Sequence, residues 1–382
     1  MSEIPLSLYV HFPWCIQKCP YCDFNSHAIK GSIPEKNYLD ALLADLNGDL
    51  PLISGRPISS LFFGGGTPSL ISGAGMDYFL TQLDQKLTLI PDIEITLEAN
   101  PGTVDSDHFA HYKKVGINRL SIGVQSFRDQ QLKELGRIHS ADEAIKAFSI
   151  ARESGFENIN LDLMFGLPGD DAEGSLFDLE QAIKLKPEHI SWYQLTMEPN
   201  TLFYRQRPVL PGDDLIWQFQ DAGQSLLKGS GYQQYEISAY ACEGFNCQHN
   251  LNYWKFGDYL GIGAGAHSKI SYYKPDIEIE RFSKPRHPKQ YLIESDLYID
   301  RRNLSKDDLI LEFMMNALRL NDGFLIEEFE MKTGLKFSEL DQTMEVARKR
   351  KLIQPSMMDG QQPIRPTEKG LRFLNDLLEI FS

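Results

Sequence analysis

The chain has 382 residues, 42% of them hydrophobic, and a formal net charge of −15. That length exceeds what one hydrophobic core usually supports and predicts a large domain with a smaller one beside it. The acidic balance argues against non-specific nucleic-acid binding, which needs Lys and Arg to displace phosphate counterions. No stretch approaches the roughly 18 apolar residues of a membrane span, and Met1 to Leu8 lacks the basic start and apolar run of a signal peptide, so a cytoplasmic location is expected. Five cysteines, three of them within eight residues, do not form a disulfide framework; they read as reduced thiols available to a metal.

The first strand is expected from Leu6 to Phe12. It runs into His11-Phe12-Pro13-Trp14-Cys15-Ile16-Gln17-Lys18-Cys19-Pro20-Tyr21-Cys22, where Pro13 and Pro20 forbid a regular helix and leave a loop able to wrap a compact object. Three thiols at C-x3-C-x2-C suit zinc or iron-sulfur chemistry. Structural zinc normally takes a fourth protein ligand, whereas a cubane cluster on three cysteines keeps one iron open. On spacing alone a zinc loop closed by a distant residue remains an alternative. Phe12, Trp14, Tyr21 and Phe24 form an aromatic collar that excludes water, with Tyr21 a stacking surface for an adenine.

Strands then alternate with helix-patterned runs. Strands are expected at Ser60 to Gly64, Ile93 to Ala99, Arg119 to Val124, Asn158 to Met164 and His189 to Leu195. Helices are expected at Glu35 to Leu50, Gly75 to Leu89, Asp105 to Val115, Ala141 to Ser154 and Glu173 to Lys184. Six βα units in series predict an α/β fold, a partial or full TIM-like barrel. Beyond Met197 the pattern turns irregular, with a helix near Asp214 to Lys228, a strand at Tyr235 to Ala241 and the Gly-rich run Gly261 to Ser268. Pro275, Pro285 and Pro288 mark an expected linker at 275–300 between a barrel domain with a sheet extension, 1–274, and a smaller helical domain, 301–382. In that last domain Lys306 to Leu320, Ile326 to Thr333 and Ser338 to Lys351 read as helices, followed by a hairpin at Asp359 and Gly360 and a final helix from Thr367. The order suits a winged-helix-like module, but its 13 basic and 14 acidic residues make DNA binding the weaker reading.

Three strands carry polar residues on one phase. Ile93, Ile95 and Leu97 oppose Glu94, Thr96 and Glu98; Leu120, Ile122 and Val124 oppose Ser121, Gly123 and Gln125; Ile159, Leu161 and Leu163 oppose Asn160, Asp162 and Met164. If the apolar phase meets the helices, Glu98, Gln125 and Asp162 line the barrel interior near its C-terminal mouth, where barrels keep their sites.

With the cysteine loop after the first strand and Gly64-Gly65-Gly66-Thr67-Pro68 after the second, the chain resembles the radical-SAM superfamily, whose fold is a (βα)6 partial barrel. The resemblance implies a 4Fe-4S cluster on Cys15, Cys19 and Cys22, and S-adenosylmethionine held by Tyr9, Tyr21, Gly65, Gly66, Thr67, Glu98, Gln125, Arg137 and Asp162. It is closest to coproporphyrinogen dehydrogenases and their relatives, the HemW-type haem chaperones. Phe24 stands where the dehydrogenases carry a fourth cysteine, and the chain starts only a few residues before its first strand; these features point to the chaperone branch. So does His249-Asn250-Leu251-Asn252-Tyr253-Trp254, which resembles that branch's H-N-x-x-Y-W motif and implies haem contacts at His249, Asn250, Tyr253 and Trp254. Without the resemblance, His249 reads better as a loop residue that caps a helix or satisfies a carbonyl. Cys242 and Cys247 read as structural thiols, and His267 is a second haem-ligand candidate. The implied function is haem delivery to client haemoproteins by a monomer or homodimer, with membrane contact only through clients. The alternative is a radical-SAM oxidoreductase acting on coproporphyrinogen III or another tetrapyrrole.

Overall fold

The computed structural model describes residues 4–273, 277–294, 296–355 and 362–382. Twelve strands form one sheet: β1 Leu6–Phe12, β2 Ile58–Gly65, β3 Leu89–Ala99, β4 Arg119–Gln125, β5 Ile159–Phe165, β6 His189–Gln194, β7 Gln233–Glu236, β8 Ala239–Ala241, β9 Asp258–Ile262, β10 His267–Tyr273, β11 Ile277–Ser283 and β12 Ile299–Asn303. Their order is β12-β11-β10-β9-β1-β2-β3-β4-β5-β6-β8-β7. Strands β1 to β6 follow one another in parallel, joined by α1 Glu35–Ile53, α2 Gly73–Asp84, α3 Ser106–Lys114, α4 Ala141–Glu153 and α5 Ala172–Leu185. Strand β1 pairs with β2 and β9, and β6 with β5 and β8. The parallel sheet is therefore an open, partial barrel.

The two phases of each strand explain this shape. Leu97, Leu120, Ile122, Val124, Ile159, Leu161 and Leu163 are all buried in the main core beneath the helices, and the opposite phase carries the polar side chains inward. Side-chain caps start the crossing helices, with Ser72 on α2, Asp105 on α3, Asp171 on α5 and a Ser140–Glu143 capping box on α4.

Two expectations change. The strand at Tyr235 to Ala241 is a hairpin of β7 and β8, because the chain turns at Ile237 and Ser238. The stretch expected to be a linker holds β11, a short helix Pro288–Ile293 and β12, paired antiparallel onto β10. Its prolines mark ends of elements: Pro285 follows β11, and Pro288 sits in the first turn of the helix, where a missing N–H costs nothing. Lys284 is 1% exposed and pairs with Asp45 at 2.6 Å and Asp49 at 2.8 Å, while Tyr291 and Tyr298 donate to the same carboxylates. This stretch is thereby fastened to α1.

At the C-terminus, α6 Lys306–Ala317, α7 Ile326–Thr333 and α8 Asp341–Lys349 enclose a second core around Phe313, Phe324, Phe329 and Phe337. Antiparallel bridges link Phe324 to Ile364 and Ile353 to Pro366. Phe256 and Ile279 enter this second core, so the module rests directly on the extended sheet. The hairpin expected at Asp359 and Gly360 lies outside the described residues. No helix among the described residues is long and apolar enough to cross a membrane.

Candidate functional site

At the C-terminal ends of the parallel strands lies a cavity of about 430 Å³, lined by Cys15, Cys19 and Cys22 together with Gly65, Gly66, Thr67, Glu98, Gln125, Arg137, Asp162 and Tyr21. Every cluster or nucleoside contact implied by the resemblance is here except Tyr9. That residue faces an adjoining cavity, with its hydroxyl 3.0 Å from His11 Nδ1.

The three cysteines are free and half-buried. The loop is held by local backbone bonds, Cys22 N–H to the Cys19 carbonyl at 3.2 Å and His27 N–H to the Pro13 carbonyl at 2.7 Å. Burial raises the Cys15 and Cys22 thiols above their usual range, and the neighbouring cysteines add to the rise. Arg137 reaches into the same space, with one guanidinium nitrogen 3.6 Å from Cys19 Sγ and another donating to the Gly123 carbonyl at 2.7 Å. Its Nε is buried without a partner. A cation whose donors are incompletely used, beside three convergent thiols, fits an anionic group in the cavity. Among the described residues no His, Cys, Asp or Glu set is arranged around a single metal ion. Three thiols from one loop converging beside an incompletely paired guanidinium form a donor set that fits an anionic iron-sulfur cluster.

The glycine segment is shaped by close approach. Gly65 has φ of 113°, and a Cβ there would lie 2.5 Å from the His11 ring. A Cβ on Gly66 would lie 2.5 Å from the Trp14 carbonyl oxygen, because Gly66 N–H donates to the Phe12 carbonyl at 2.7 Å and Thr67 N–H to Trp14 at 2.8 Å. These bonds lash the segment to the cysteine loop. Its backbone is left bare toward the cavity.

Opposite charges are scarce around the carboxylates. Glu98 accepts from Gly65 N–H at 3.1 Å; burial, then the nearby Asp162, pushes its pKa up to about 8. Asp162 accepts from Asn160 at 2.8 Å and Ser121 at 3.0 Å, yet burial still raises its pKa. Gln125 takes a positive φ at the end of β4 and accepts from the Tyr193 hydroxyl at 2.8 Å. Two acceptors beside a cation and a bare backbone suit a ligand carrying amine, carboxylate and hydroxyl groups. Sequence reading set Ser121 on the inward polar phase but passed over Tyr193 as a cavity residue. The inward phase of β6 held the signal in His189 and Ser191, but Tyr193 and Leu195 continue it with apolar bulk.

The second motif lies elsewhere. The helix Gln248–Trp254 sits at the N-terminal ends of the strands, its first N–H groups donating to Glu94: Gln248 at 3.1 Å and His249 at 3.1 Å. His249 is 1% exposed, its Nδ1 3.0 Å from Ser60 Oγ and its Nε2 3.0 Å from the Tyr253 hydroxyl, with the ring stacked on Phe62. Burial, then Arg119, lowers its pKa to about 3, so the ring is neutral. Tyr253 and Trp254 reach the adjoining cavity, whereas Asn250 faces a small cavity of about 200 Å³ inside the barrel. Cys247 is fully buried against Glu94, with its thiol pushed up to about 12 by burial.

Residues 9–179 match the radical SAM superfamily and residues 304–373 the HemN C-terminal domain. The chain is 51% identical over 381 residues to the heme chaperone HemW of Haemophilus influenzae, covering 99% of this chain and 98% of that one. It is 49% identical over 378 residues to heme chaperone HemW of Escherichia coli, with the same coverage. Among solved structures it is similar to the radical SAM enzyme coproporphyrinogen III oxidase (HemN) of Escherichia coli, with a TM-score of 0.83 and 26% identity over 99% of this chain and 90% of that one.

Proposed function

The chain belongs to the HemW family of the radical SAM superfamily, and on that premise we propose that it is a haem chaperone that carries a 4Fe-4S cluster and S-adenosylmethionine and passes haem to client haemoproteins. The observation that carries this reading is the convergence of Cys15, Cys19 and Cys22 with Glu98, Gln125, Arg137 and Asp162 on one cavity. When bound, a cluster on three cysteines supplies an iron free to chelate a ligand and a site for one electron.

The chain's own residues do the rest. Three cysteines bind the cluster, and Arg137 offsets the added thiolate charge at Cys19. Gly65, Gly66 and Thr67 let backbone approach the methionyl part of S-adenosylmethionine, Glu98 accepts from its amine, Asp162 accepts from a ribose hydroxyl, and Tyr21 and Gln125 bound the nucleoside. Tyr9, its hydroxyl against His11, stands in the adjoining cavity that Glu98 also lines. The haem segment is His249, Asn250, Tyr253 and Trp254, of which Tyr253 and Trp254 offer aromatic surface. The protein works in the cytoplasm as a monomer or homodimer, and meets membranes only through its clients.

Anaerobic reconstitution with iron and sulfide, followed by haemin titration and desalting, tests this reading. The expected result is about one haem retained per chain. Loss of all haem on desalting, with turnover of coproporphyrinogen III instead, would replace it with the oxidoreductase reading.

A further inference from the structure

The adjoining cavity has a volume of about 540 Å³ and shares Phe24, Gly65 and Glu98 with the first. This size lies within the range of cavities that enclose small-molecule ligands. Tyr253, Trp254 and Tyr259 give it aromatic walls. Strands β10 and β11 give it a basic wall: Lys269 pairs in register with Arg281, and His267, two residues before Lys269, shares its face.

Most of these cations are already engaged. Lys269 is buried against Asp258 at 3.0 Å, and Arg281 pairs with Glu312 at 3.2 Å and donates to the Tyr259 hydroxyl. Two groups are not. The exposed Arg286 guanidinium forms no ion pair, and the exposed His267 ring makes no hydrogen bond, among the described residues. Partial desolvation at the cavity wall, then the charges of Arg281 and Arg286, lower the His267 pKa below 6.5, which keeps an imidazole lone pair available at neutral pH. His249 differs in each respect: it is buried, and hydrogen bonds to Ser60 and Tyr253 occupy its two ring nitrogens.

We propose that this cavity is the haem seat, with His267 as an axial ligand of the iron, Arg286 meeting a propionate carboxylate, and Tyr253 and Trp254 against the macrocycle. The assignment rests on the reading that the chain binds haem, and it adds where and by which groups. A planar aromatic dicarboxylate with a metal at its centre matches an aromatic wall, unpaired guanidinium and a free neutral imidazole. His249 is then a positioning residue, which holds the Tyr253 hydroxyl and so the tilt of that wall.

The test uses anaerobically reconstituted full-length protein with haemin as the probe. Wild type, His267→Ala, Arg286→Gln and His249→Ala are titrated and their ferric absorbance spectra recorded, with circular dichroism to verify folding. His267→Ala is expected to change the spectrum and weaken retention by at least about tenfold, and added imidazole to restore the wild-type spectrum. Arg286→Gln, or haemin dimethyl ester with the wild type, is expected to weaken binding without changing the spectrum. If wild type binds haemin while His267→Ala keeps its spectrum and affinity, the seat is wrong and the haem-binding reading stands. If folded wild type retains no haemin, that reading falls and this assignment with it.

Discussion

Glu98 connects stability to ligand binding in opposite senses. Its pKa of about 8 in the fold, against 4.5 for the ordinary carboxyl, comes from burial and from Asp162. The folded chain therefore holds the proton that the unfolded chain releases. Stability from this group is complete below pH 4.5, falls as the pH rises toward 8 and is level above that. At 1.36 kcal/mol per unit the full swing approaches 5 kcal/mol, and solvent entering the cavities beside Glu98 reduces the expected figure to about 2 to 3 kcal/mol. Glu98→Gln keeps an acceptor for Gly65 N–H and removes the titration. In cofactor-free protein, denaturant unfolding should show the variant equal to wild type near pH 5 and more stable by about 2 kcal/mol at pH 8.5. The same variant should bind S-adenosylmethionine about tenfold more weakly, because a charge-assisted bond to an amine is lost. A stability difference that stays constant from pH 5 to 8.5 would refute the reasoning.

Lys284→Met leaves Asp45 and Asp49 buried without their cation and should cost about 3 to 5 kcal/mol in denaturant unfolding. Cys19→Ala should leave the fold intact by circular dichroism and reduce iron after reconstitution from about four atoms per chain to near none, by colorimetric assay. Gly66→Ala drives a methyl into the Trp14 carbonyl; a cost of about 1 to 3 kcal/mol is expected in thermal unfolding, with faster loss of the cluster than in wild type.

How much of this was legible in the sequence depended on the range of the interaction. Cys15, Cys19 and Cys22 lie in one short loop whose prolines exclude a helix, so their convergence was local. Glu98, Gln125 and Asp162 were found through the two-residue period, because Leu97, Val124 and Leu161 mark the opposite face without ambiguity. The strands β11 and β12 were not legible as part of the sheet, since they pair antiparallel and carry charges such as Glu280, Arg281 and Arg301 that a linker would also carry. The exposed Arg301 and Arg302 of β12 show why: an edge strand needs no apolar phase. The surroundings of His249 were equally hidden, because its partners Ser60 and Phe62 come from a strand almost two hundred residues earlier. The family motif marked the segment, but only the structure shows it as a helix and distinguishes a histidine turned into the barrel from one, His267, turned toward open space.

The central claim is tested most directly by loading the cluster-reconstituted protein with haemin, removing free haemin, and mixing it with an apo-haemoprotein across a membrane-free assay while following the recipient's absorbance. A haem chaperone should lose its haem as the recipient gains it, faster than haemin is released into buffer alone. Haem that stays with the protein, or a protein that never takes it up and instead decarboxylates coproporphyrinogen III, would contradict the account.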